Sequence, residues 1–225
     1  MTAKLSERNK SIIYIGLYGL VMLVSKFYLD TLPSDAALRS YVKMPAYIIL
    51  GILSLIFFRI DWKEGLAQWK EHPIKNILFV IGLTIANIVM ANVASIPGQL
   101  IYGDVETIND SNINGMISMF NPLLILLVVG ILGPIMEETV FRVVMIRKLS
   151  SKVPMAVCIL VSSIGFMFIH VHAFTAQEMI MNLDKLSSGL LFGITLALTK
   201  KNVTVPAATH IINNTLAMTL TLLAR

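Results

Sequence analysis

Two adjacent carboxylates and a guanidinium follow an apolar run in Gly133-Pro134-Ile135-Met136-Glu137-Glu138-Thr139-Val140-Phe141-Arg142. The preceding segment, 121–132, reads as part of a membrane span. A charge inside hydrocarbon costs several kcal/mol, so three together need a reason. On a helix, Glu138 and Arg142 are four apart and share a face, where they can pair. Glu137 sits roughly 100° round the axis and is left to point elsewhere. The expectation is one carboxylate held by Arg142 and a neighbour presented to a cavity.

Three more polar groups stand in apolar helical runs. His170 ends Phe166-Met167-Phe168-Ile169-His170, and His210 and Asn214 lie four apart on one face of a later helix. Polar side chains in lipid need partners, and each other's are the nearest available. The set has the parts for amide hydrolysis. A buried carboxylate beside a like charge holds protons more tightly than in water and can act as general base on water. Imidazole can assist that deprotonation or hand a proton to the leaving amine. A His and an Asn on one face can donate hydrogen bonds to a developing oxyanion. The same groups could instead hold a divalent metal such as zinc through Glu137, His170 and His210, with water in the fourth position. The residues leave both modes open. No His-Glu-x-x-His run and no Gly-x-Ser-x-Gly elbow occurs. Ser162 and Ser163, on the helix that carries His170, read with Gly165 as small packing residues. His172 is expected at the membrane interface.

Glu137-Glu138-x-x-x-Arg142, Phe166-x-x-x-His170 and His210-x-x-x-Asn214, in that order and each in an apolar helix, resemble the CAAX-protease and bacteriocin-processing (CPBP, or Abi) family of intramembrane endopeptidases. The resemblance covers residues 137–214. It implies a helix bundle with an intramembrane polar cavity, and cleavage of a peptide bond in a prenylated tail, a bacteriocin-type leader or another membrane-delivered peptide. It further implies Glu137 as the base that activates water, Glu138 as its neighbour fixed by Arg142, and His170 as the assistant to the water. His210 with Asn214 would form the oxyanion site, and Phe166 would line the pocket. Whether a metal takes part is left open by the resemblance too.

The elements that position these groups follow from composition. The chain has 225 residues, of which 56% are hydrophobic and 14% charged. Soluble domains carry about 25% charged residues, so this is an all-α polytopic membrane protein. Its length allows about seven to eight spans in a single domain, 1–225, with the motif-bearing core at about 119–223. Spans are expected near 12–28, 45–58, 77–93, 122–146, 154–170, 178–198 and 203–223. Residues 61–72 read as an amphipathic helix on the membrane surface. Residues 95–115, rich in Asn, Asp, Gly and Pro, read as a polar loop. Lys26 and Asp30 are expected to pair near the end of the first span. Because His170 falls nearer the far end of its span than Glu137 does, by roughly 10 Å, residues 153–157 should lie partly outside the hydrocarbon if the two share a site.

Lys4, Arg8, Lys10, Arg59, Lys63, Lys70, Lys75, Arg142, Arg147, Lys148, Lys152, Lys200 and Lys201 fall on one side of this topology, against Arg39, Lys43, Lys185 and Arg225 on the other. That bias puts the N-terminus in the cytoplasm, with the bacterial cytoplasmic membrane as the expected location. The net charge of +5 is therefore a topology signal and not a nucleic-acid one. The expected partners are a peptide or protein substrate, delivered from membrane or cytoplasm, and membrane lipids. One cysteine, Cys158, rules out a disulfide within the chain. A non-catalytic immunity or sensor protein binding a peptide or partner on the same fold is the alternative. A proton-coupled transporter fits less well, since no internal repeat is present.

Overall fold

A computed structural model describes residues 5–26 and 36–224. Every regular element among them is helical. We number these α1 (Glu7–Val24), α2 (Ala36–Phe57), α3 (Arg59–Glu71), α4 (Pro73–Tyr102), α5 (Ile108–Met119), α6 (Pro122–Ser151), α7 (Met155–His170), α8 (Ala176–Met181), α9 (Leu183–Leu198) and α10 (Thr204–Leu223). Among the described residues, three stretches are long and apolar enough to cross a membrane: Ser40–Phe57 within α2, α4 and α6. Helix α7 is apolar but has 16 residues, about 24 Å of helix against roughly 30 Å of hydrocarbon.

Local chemistry accounts for the helix starts. Ser6, Thr107, Asn121 and Thr175 each accept a backbone N–H of their own first turn with a side-chain oxygen, opening α1, α5, α6 and α8. Pro122 then stands at the first position of α6, where its missing N–H costs nothing.

Helix α6 is one rod with two wide turns. It is π-helical over Leu126–Leu132 and Thr139–Lys148, flanking the α-helical turn Gly133–Glu138. Pro134 lacks the N–H that would bond the carbonyl of Gly130. The Thr215 hydroxyl of α10 donates to that carbonyl at 3.4 Å, and the Gly133 N–H reaches back five residues to Val128. Wide turns of this kind recur at functional sites, and here they bracket both glutamates.

Several boundaries differ from the sequence expectations. Helix α1 starts at Glu7, ahead of the expected 12, because Ser6 caps it. Helix α2 begins at Ala36 and carries Pro45 inside it, where the proline was expected to open the span. The expected loop 95–115 is mostly helical: α4 runs through Pro97 to Tyr102, and α5 occupies Ile108–Met119. Polar composition suggested a loop, but Thr107 supplies a cap and α5 packs against α2 and α6. The expected span 178–198 breaks at Asn182 into α8 and α9; the Asn182 amide donates to the carbonyl of Glu178 at 2.8 Å. Asp30, the expected partner of Lys26, lies outside the described residues. The Lys26 ammonium donates to the carbonyls of Phe168 and Val171, at the end of α7.

Helix α9 packs on α7 and α4, α10 packs on α6 and α4, and α2 packs on α6. A Cβ added to Gly189 would stand 3.0 Å from the Ser163 backbone, and one added to Gly193 would stand 3.0 Å from Ile159. Small residues four apart thus let α7 and α9 touch almost backbone to backbone. Helix α3 lies against the end of α6: Arg147 pairs with Asp61 at 3.4 Å and with Glu64, and Lys148 pairs with Asp61 at 3.7 Å and with Glu7 of α1 at 3.2 Å.

Candidate active site

The site is assembled around Arg142. Its guanidinium is fully buried, pairs with Glu138 (Nε to Oε2, 3.2 Å) and donates to the carbonyl of Gly189 at 3.4 Å. Its carbon lies 4.7 Å from the ring centre of Phe166 and 5.2 Å from that of Phe192. A desolvated cation over aromatic faces gains about 2 kcal/mol, which offsets part of the cost of burying it.

Glu138, also fully buried, holds a second partner. Its Oε1 lies 3.0 Å from Nδ1 of His210, on α10. The other imidazole nitrogen, Nε2, lies 3.6 Å from Oε2 of Glu137. His210 is therefore strung between the two glutamates, stacked on Phe192 (ring centres 5.0 Å apart, planes at 29°) and edge-on to Phe166 at 5.6 Å.

His170 ends α7, and its Nδ1 lies 2.8 Å from the carbonyl of Phe166. A carbonyl can only accept, so Nδ1 carries the hydrogen and Nε2 keeps its lone pair. The Asn214 amide donates to the carbonyl of Val129 at 3.4 Å, which leaves its second N–H available.

Two adjoining cavities open on these groups. The smaller, of about 90 Å³, is lined by Glu137, His170, His172 and Asn214. The larger, of about 240 Å³, is lined by His170, His210, Asn214, Phe166 and Phe192. Glu137 and His170 thus reach the same space, as a common site requires. His172 also lines the smaller cavity, and its backbone N–H donates to the Glu178 carboxylate at 3.4 Å. Ser162 and Ser163 bond carbonyls of α6 and α7.

The possible metal set of Glu137, His170 and His210 does not converge. Among the described residues no three His, Cys, Asp or Glu side chains form a group that could hold a metal ion.

Sequence reasoning anticipated neither Phe192 nor the close helix contact at Gly189. Phenylalanine in an apolar helix carries no local signal of a special role. The spacing Gly189-x-x-x-Gly193 was the available hint of close helix contact.

Residues 119–216 match a family model described as type II CAAX prenyl endopeptidase Rce1-like. The match spans α6 to most of α10 and contains every motif that carried the resemblance. Neither curated proteins nor solved structures gave a match. With three helices among the described residues long and apolar enough to span a bilayer, the chain is an integral membrane protein, and its residues 119–216 are similar to that endopeptidase family.

Proposed function

We propose that the protein is an intramembrane endopeptidase that hydrolyses a peptide bond in a membrane-delivered peptide, a prenylated C-terminal tail being the first substrate to test. The observation that carries this reading is the placement of Glu137 beside a cavity it shares with His170 and Asn214, with His210 Nε2 3.6 Å away. Helices α1, α2, α4, α6, α7, α9 and α10 would cross the bilayer with the N-terminus in the cytoplasm, and the paired cavities would lie below the lipid surface.

A water between Glu137 and His170 gives a proton to Glu137 as its oxygen attacks the substrate carbonyl. The proton passes to His210 Nε2, 3.6 Å from Glu137 Oε2, when the two close to hydrogen-bond distance. Nε2–H and the free N–H of Asn214 then donate to the oxyanion. Collapse of the tetrahedral intermediate breaks the C–N bond, and the proton returns to the leaving amine. Glu138 accepts from Nδ1 throughout and holds the ring, while Arg142 balances its charge. No step runs through a metal. A protein that only bound its partner would not need a histidine held between two carboxylates.

The test uses purified protein in liposomes with a quenched fluorescent peptide bearing a farnesylated cysteine near its C-terminus, beside the unprenylated peptide. Wild type should cleave the first, and Glu137→Gln should not, with unchanged melting. Cleavage by Glu137→Gln at the wild-type rate overturns the reading.

A further inference from the structure

Asn87 lies on α4, outside the residues that match the family model and in the half of the chain where the sequence shows no motif. On α4, Val80, Thr84 and Asn87 form a buried stripe facing the bundle. Thr84 satisfies itself, its hydroxyl donating to the carbonyl of Val80 at 2.9 Å. Asn87 does not. The residue is 8% exposed, and its Oδ1 is buried with no hydrogen-bond partner among the described residues. Asn213, on α10, repeats the pattern: its amide donates to the carbonyl of Thr209, and its Oδ1 is buried without a partner.

Both asparagines line the 240 Å³ cavity that holds His170 and His210. A buried acceptor without a donor destabilises a fold, and such groups call for an explanation. The two residues that carry them, on different helices, border one space that Phe166 and Phe192 also line. An extended peptide has the matching chemistry, with N–H donors along one edge and side chains that can lie against rings.

We propose that Asn87 and Asn213 form a rack for the substrate's backbone, their side-chain amides turning into the cavity so that the oxygens accept peptide N–H groups next to the scissile bond. This rests on the endopeptidase reading and adds a substrate-positioning role for the N-terminal half. The rack holds any sequence, because every non-proline residue offers the same N–H.

The experiment measures affinity on Glu137→Gln protein in liposomes, which holds the peptide without turning it over, using the farnesylated fluorescent peptide. Adding Asn87→Leu, which has similar volume and no acceptor, should weaken Kd about five- to tenfold, the loss of one hydrogen bond. The same substitution should leave Tm unchanged or raise it, since an orphaned polar group is removed; a structural asparagine would lower it. Asn87→Asp, which keeps an acceptor, should restore most of the affinity. Equal Kd whatever stands at position 87, or a lowered Tm in Asn87→Leu, overturns the proposal and leaves the endopeptidase reading intact. No binding to the Asn87-intact protein, together with no cleavage by wild type, sinks the endopeptidase reading and this proposal with it.

Discussion

Glu138 and His210, 72 residues apart in the chain, meet with Oε1 3.0 Å from Nδ1, and the same carboxylate pairs with Arg142 at 3.2 Å. One fully buried glutamate therefore balances the bundle's buried guanidinium and orients its central imidazole.

That double duty separates folding from chemistry. Glu138→Leu or Arg142→Leu alone strands a buried charge and should destabilise by about 3–5 kcal/mol. The double substitution should recover most of that loss, since an apolar pair of similar volume replaces an ion pair. Cleavage should not recover, because His210 still lacks its Nδ1 acceptor. Melting of the four proteins of the cycle in detergent, beside their peptide-cleavage rates, checks both halves. Recovery of activity in the double variant would assign Glu138 a purely structural role.

Phe192 is 1% exposed, stacks on His210 at 5.0 Å and sits under Arg142. Phe192→Leu removes a ring contact of about 0.5–1.5 kcal/mol and frees the imidazole to turn. We expect kcat to fall about three- to tenfold with little change in KM, and Phe192→Trp to keep most of the rate. Steady-state kinetics on the fluorescent peptide decides it; a change confined to KM would place Phe192 in substrate binding instead.

Gly189 is a point of close approach between α7 and α9. A Cβ there would stand 3.0 Å from Ser163 Cα, so Gly189→Val must push the helices apart and pull the Gly189 carbonyl from Arg142. Overpacking of this kind costs about 1–3 kcal/mol. A lower Tm in detergent with a larger proportional loss of cleavage is the expected pair of results. Gly16, whose added Cβ would meet nothing within 4 Å, serves as the control: Gly16→Ala should leave both unchanged.

Treatment with 1,10-phenanthroline or EDTA should leave the cleavage rate unchanged, because no three His, Cys, Asp or Glu side chains among the described residues converge into a group that could hold a metal ion. The measurement is the rate before and after chelation, with metal analysis of the purified protein. Loss on chelation and recovery with zinc would require Glu137, His170 and His210 to rearrange into a ligand set.

The sequence by itself determined the all-helical class, the membrane setting and the local pairs. Glu138 and Arg142 meet because residues four apart on a helix share a face, and His210 and Asn214 share theirs for the same reason. Local spacing also flagged Glu137 as the carboxylate left over. Where spacing misled, at 95–115 and at 178–198, caps and packing overrode composition: Thr107 starts a helix in a polar stretch, and Asn182 breaks one in an apolar stretch. Only the tertiary structure decided that Glu138 also holds His210, that Phe192 backs that ring, and that Asn87 of α4 reaches the same cavity as the motif residues. A helix dictates which of its side chains share a face, since periodicity is local. Which faces meet depends on how closely whole helices can approach, and here that was set by Gly189 against Ser163, a contact between residues that no local pattern links.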